Sequence, residues 1–266
     1  MPEPITLERP RSNVALLRLN RPEVLNALND EMVASMGAVL DQVAGDTEIR
    51  VLVLTGAGRG FCAGFDLQEA IDAPGREEFG EAAAWMSRQE SFSGLIARLR
   101  SLRQPVIAAV NGAASGGGFA LALAAEIRLC AQSARFNAAF VKVGMSGCDM
   151  GVSWLLPRCV GSSHAFDLML TGRHVDAAEA SRIGLVSAVV DDDGLLEHAF
   201  TLAEQIAGHD AFALWMTKRG GWANLETCSL QAAMELENRT QMLTRTTGRL
   251  AQAASQFANK RARAAQ

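Results

Sequence analysis

Two glycine-rich turns carry the residues best suited to chemistry, and each follows an apolar run. The first reads Gly60-Phe-Cys-Ala-Gly-Phe-Asp-Leu67, and the second reads Asn111-Gly-Ala-Ala-Ser-Gly-Gly-Gly118 and opens into an Ala/Leu-rich stretch. Glycine allows close backbone approach and unusual φ/ψ values, so both turns can aim bare N–H groups at a ligand. At a helix N-terminus such groups are unpaired and sit in a positive potential. An oxyanion held between the turns would be stabilised, one donor typically contributing about 2.7–4 kcal/mol in the transition state.

Other chemistries fit these glycines less well. A dinucleotide fingerprint fails because Phe61 stands where the third glycine after Gly56-Ala-Gly58 belongs. No Walker A motif is present. Ala113-Ala-Ser115-Gly-Gly117 lacks the first glycine of a nucleophile elbow, and none of His164, His174, His198 and His209 has a telling context. A serine hydrolase therefore ranks last among the candidate functions.

The elements that position these turns follow from hydrophobic spacing. Residues 14–19 read as a strand ended by Asn20-Arg-Pro22. Asn29 or Asp30 can cap a helix whose apolar positions are Met32, Val33, Met36, Val39, Leu40 and Val43, with Gly45 stopping it. Residues 50–55 read as a strand whose centre, Val51-Leu-Val-Leu54, is continuously apolar, as in a strand buried on both faces of a parallel sheet. Residues 68–98 read as a surface loop entering a helix. Further strands are expected at 106–110, 127–130 and 186–190, a helix from about Gly117, and a short helix capped by Asp176 and closed by Gly184. From about 194 the pattern is helical, at 199–207, 211–218 and 230–260. This is an α/β chain, with residues 1–195 as core and 196–266 as a helical region available for subunit contacts.

Composition bounds the function. The 266 residues are 49% hydrophobic and 20% charged, with a net charge of −4, which argues against nucleic acid as a main partner. Five scattered cysteines without a C-x-x-C pair fit neither a disulfide framework nor a zinc site and point to the cytoplasm. Residues 106–125 are long and apolar enough to be mistaken for a membrane span. Asn111-Gly112 and three successive glycines favour a buried strand, turn and helix instead.

The two turns, together with Asn20-Arg-Pro22…Leu25-Asn-Ala-Leu28 and Leu170-Thr-Gly172…Asp176-Ala…Ala180…Gly184-Leu-Val186, resemble the enoyl-CoA hydratase/isomerase (crotonase) superfamily over about residues 5–260. That resemblance implies a spiral of ββα units with a C-terminal helical trimerisation region, assembled as a homotrimer or dimer of trimers. It implies an acyl-CoA substrate and no metal or redox cofactor. By the same resemblance the oxyanion donors are the N–H groups of Phe65 and Gly117. Leu25, Asn26, Ala27, Ala63, Asp66, Leu67 and Phe140 would flank the coenzyme A thioester, and Lys260 would reach a phosphate.

The chain departs from a hydratase of that family at two places. The positions expected to hold glutamates are Ala120 and Phe140, neither able to transfer a proton. The nearest acid is Asp149, in Met145-Ser-Gly-Cys-Asp-Met-Gly151, one residue beyond the position (Cys148) where some relatives carry a functional aspartate. Asp149 is either the proton-transfer group or an N-cap for a helix starting near Gly151. Glu81 and Glu90 are expected to be solvated helix acids. The leading expectation is an acyl-CoA lyase or isomerase with very weak hydratase activity. The alternatives are an acyl-CoA-binding homologue without catalysis and the serine hydrolase.

Overall fold

The structure is a computed structural model and describes residues 3–69 and 74–255. In chain order the elements are β1 (Ile5–Arg11), β2 (Val14–Leu19), α1 (Asp30–Gly45), β3 (Val51–Gly56), β4 (Gly60–Cys62), α2 (Arg76–Phe79), α3 (Glu81–Ser101), β5 (Val106–Val110), β6 (Ala113–Ser115), α4 (Gly117–Ala124), β7 (Ile127–Ala131) and β8 (Arg135–Asn137). There follow α5 (Val152–Val160), α6 (Ser162–Thr171), β9 (Val175–Asp176), α7 (Ala177–Arg182), β10 (Ala188–Val190), α8 (Leu195–Ala207), α9 (Ala211–Glu226) and α10 (Leu230–Arg245).

Two sheets are built in alternation along the chain. One has the order β1-β2-β3-β5-β7-β10 and the other β4-β6-β8-β9. Each of β3, β5 and β7 joins the first sheet, and the strand that follows it joins the second, so every ββα unit advances a spiral by one turn. The continuous apolar run of β3 has its reason in this arrangement. Its ladders are parallel on both sides, Leu52 opposite Ala15 and Val106, and all six of its residues are buried.

Local signals explain several boundaries. Asn29 caps α1, its side chain accepting from the N–H of Met32 at 2.9 Å. Asp176 caps α7 in the same way, accepting from Glu179 N at 2.8 Å. The run at 106–125 divides into β5, β6 and α4, and all eight residues of α4 are buried, so its apolar character serves the core. No described helix is long and apolar enough to cross a membrane.

Some expectations need correction. β1 forms an antiparallel hairpin with β2, although its sequence mixes charges and Pro10 and gives no clean alternation. The helix expected over 230–260 is interrupted: α10 stops at Arg245, and the backbone turns through Thr246–Gly248 before helix resumes at 249. The chain divides into two compact units, Met1–Gln205 and Ile206–Gln266. The first includes most of α8, which buries Leu195, Ala199, Phe200 and Ala203. In the second unit α10 has no buried residue, and Leu230, Met234 and Met242 are exposed.

Candidate functional site

The segment before α1 frames the first turn. Leu25 and Asn26 adopt left-handed φ values of 54° and 58°, and Asn26 is fully buried. Its side chain accepts from Arg21 N at 2.9 Å and donates toward the carbonyls of Ala57, Gly60 and Phe61 at 2.8–3.2 Å. With both ends used internally, Asn26 shapes the site, and the backbone of residues 25–27 is what this segment can offer a ligand.

That segment pairs with the turn. Ala63 N donates to Leu25 O at 2.9 Å, Leu28 N to Gly64 O at 2.7 Å and Asp66 N to Leu28 O at 2.9 Å. In this parallel bridge Phe65 is the residue opposite Leu28, so its own N–H faces away from Leu28. Gly64 has φ +92°, and a methyl group there would sit 2.7 Å from Ser115 O and 3.3 Å from Gly117 N. The two turns therefore touch at Gly64. A second contact locks them: a methyl on Gly118 would lie 2.1 Å from Cys62 O.

The second turn is pinned by Gly116 N, which donates to Asn137 O at 3.0 Å. α4 starts at Gly117, whose N–H belongs to the first turn of the helix and has no intrahelical acceptor. Neither Phe65 N–H nor Gly117 N–H donates to an acceptor among the described residues. Apolar groups surround them. The Phe140 ring lies 3.6 Å from where a Gly116 methyl would be, and Leu28 Cδ1 and Met150 Sδ lie 3.1 Å from the corresponding point on Gly117. Ala120, one turn along α4, is fully buried. Two adjacent amide donors in a setting of low polarity can stabilise a developing oxyanion strongly.

Asp149 lies in the loop between a 3-10 turn (Ala139–Val143) and α5 and is partly exposed. Its Oδ1 accepts from Met150 N at 2.6 Å and from Nε2 of Gln89 on α3. The capping alternative does not hold: the N-cap of α5 is Gly151, without a side-chain bond, and Asp149 contributes only its carbonyl, accepting from Val152 N at 2.8 Å. Met150 is buried at a left-handed φ of 42°, and it is this residue that reaches Gly117. Glu81, Glu90 and Cys148 are exposed.

Other residues of interest fall around this centre. The Phe65 ring meets Phe92 edge-on at 5.2 Å, and Arg88 lies over it at 4.9 Å while pairing with Asp30 at 2.8 Å. Asp66 is buried and paired with Arg21 at 3.0 Å, whereas its neighbour Leu67 is exposed. Burial pushes the Cys62 thiol up to about 12, partly opposed by the Gly64 N–H, so it stays protonated and unreactive at neutral pH. Ser115 has no hydrogen bond to a histidine among the described residues, and it ends β6 instead of standing on an elbow. Lys260 lies outside the described residues. Sequence reasoning misses Gln89 and Arg88; a glutamine and an arginine on a helix give no sign of where they meet the site.

Residues 9–264 match the family model described as enoyl-CoA hydratase/isomerase. A probable enoyl-CoA hydratase, EchA12, of Mycobacterium tuberculosis is 44% identical over 241 residues, covering 91% of this chain and 85% of that protein. A 1,2-epoxyphenylacetyl-CoA isomerase of Escherichia coli is 40% identical over 257 residues, covering 96% and 95%. The crystal structure of a monofunctional enoyl CoA isomerase from M. smegmatis superposes with a TM-score of 0.75 at 43% identity, covering 87% of this chain and 98% of that one.

Proposed function

Because the chain belongs to the enoyl-CoA hydratase/isomerase family, we propose that it rearranges an acyl-CoA thioester by proton transfer instead of adding water. The observation that supports this reading is the meeting of the two turns at Gly64: the Phe65 and Gly117 N–H groups have no acceptor among the described residues, and Met150, the residue after Asp149, reaches Gly117.

In the reaction the thioester oxygen accepts from both amides. The Asp149 carboxylate takes a proton from the α- or γ-carbon, the C–H electrons pass into the conjugated system, and the negative charge comes to rest on the thioester oxygen. The same carboxyl group returns the proton at the other end, so the double bond moves and nothing is added or lost. Each amide contributes about 2.7–4 kcal/mol to such a transition state, and the base about 10²–10⁴-fold. With Ala120 and Phe140 where a hydratase would hold its acids, no pair of carboxylates flanks a water. Coenzyme A would run past the backbone of Leu25, Asn26 and Ala27 and past Ala63, Asp66 and Leu67, with Lys260 toward a phosphate. Assembly as a trimer or dimer of trimers and independence from metal and redox cofactors belong to the same reading.

The test is a pair of assays on purified protein. A 3-enoyl-CoA should be converted to the conjugated 2-enoyl-CoA, and in D₂O the α-protons of a bound thioester should exchange. Hydration of crotonyl-CoA at an ordinary enzymatic rate, roughly 10 s⁻¹ or more, would overturn the reading. Tight binding of acyl-CoA with neither conversion nor exchange would replace it with a binding role.

A further inference from the structure

We propose that Gln89 is a positioning residue for Asp149, an inference that rests on the reading of Asp149 as the proton carrier. Both donors to the carboxylate, the Gln89 amide and Met150 N–H, land on the same oxygen, Oδ1. Oδ2 receives no hydrogen bond from a described residue. The carboxylate is thus held by one oxygen and presents the other, which is the arrangement that a group passing a proton between two carbons needs. Holding it by a neutral amide fixes its orientation without a cation's counter-charge; an arginine there would have supplied both.

Gln89 is well placed to do this because its helix is anchored elsewhere. α3 buries Ala84, Phe92, Leu95, Ile96 and Leu99 on one face. Arg88 and Phe92, on that helix, hold the Phe65 ring. One stretch of α3 therefore braces the residue whose amide receives the oxyanion and, through the next side chain, the carboxylate that moves the proton. Asp149's own loop is exposed from Lys142 to Ser146, and its backbone bonds, Met145 N–H to Phe140 O and Val152 N–H to Asp149 O among them, leave the carboxylate itself to Gln89 and Met150 N–H.

A double-mutant cycle tests this on the full-length protein with its best acyl-CoA substrate. Gln89→Met keeps the length and removes the donor. Gln89 is solvent-exposed, so the variant should melt with wild type. Its kcat should fall about 10- to 100-fold, the range for losing a hydrogen bond to a charged group, with KM unchanged. In an Asp149→Asn background the same substitution should have no further effect, because the residue acts through that carboxylate. Wild-type kcat in Gln89→Met, with turnover lost in Asp149→Asn, overturns the Gln89 assignment and leaves that of Asp149 standing. An undiminished effect of Gln89→Met in the Asp149→Asn background also overturns it, by showing that Gln89 acts elsewhere. Full turnover in Asp149→Asn overturns both.

Discussion

The two glycine turns and the loop that carries Asp149 meet at one place but are held in opposite ways. The turns are fixed by backbone: the Leu28 bridge, the Gly116–Asn137 bond and the approach of Gly118 to Cys62 leave no room for a side chain. The acid loop is mostly exposed, and beside a few local backbone bonds such as Val152 N–H to Asp149 O it relies on two side chains, the buried Met150 and the amide of Gln89. Under the proposed function, oxyanion binding would be built into the fold, while the acid assigned to proton transfer would sit where substitutions cost little stability. A scaffold divided in this way can exchange one reaction for another without rebuilding its most demanding part.

Four experiments bear on that division. The largest effect is expected from Asp149→Asn, which should lower turnover by about 10²–10⁴-fold while leaving the melting temperature and acyl-CoA affinity unchanged; unchanged turnover would make the loop passive. Gly117→Pro removes one amide donor and should cost about 10²–10³-fold in turnover, and a folded variant with full activity would remove the turn from the chemistry. Gly118→Ala should destabilise the protein by roughly 3 kcal/mol, read as a lower denaturant midpoint, because the added methyl overlaps Cys62 O; a comparable loss from Met145→Ala, in the exposed loop, would erase the contrast.

The smallest effect separates the regions by their thiols. At neutral pH Cys148 should react with a thiol reagent in the folded protein, and Cys62 only after unfolding. The Cys62 thiol is raised from 9.0 to about 12, so below pH 9 it is protonated in both folded and unfolded chains. Between those values only the unfolded chain loses its proton. Stability should therefore fall as pH rises from 9 toward 12, and Cys62→Ala should lessen that slope in urea unfolding curves.

The parts of this molecule legible in its sequence are those that repeat a local rule. β2, β3, β5 and α1 announce themselves by apolar runs or helical spacing, and Asn29 and Asp176 by their capping positions. β6, β8 and β9 hold three residues or fewer, too short for any periodicity, and exist because the spiral aligns them. In the site, glycines marked where bare amides could stand. The sequence offered two roles for Asp149, and the geometry removed one by giving the cap of α5 to Gly151. Its tie to Gln89 joins residues 60 positions apart, which no local pattern could register.

The alternation of strands between two sheets also has a consequence for synthesis. A chain emerging from its N-terminus presents the first turn well before the second, and Gly116 N–H meets its acceptor only once Asn137 has left the ribosome. Parallel ladders such as β3–β5 and β5–β7 close over long loops, so they form slowly compared with local contacts. Until β7 and β8 arrive, the apolar residues of β5 and α4 have no complete core to enter, and nascent chains in that state are prone to aggregate. The segment destined for complete burial is thus without its core until the strands that follow it have been made.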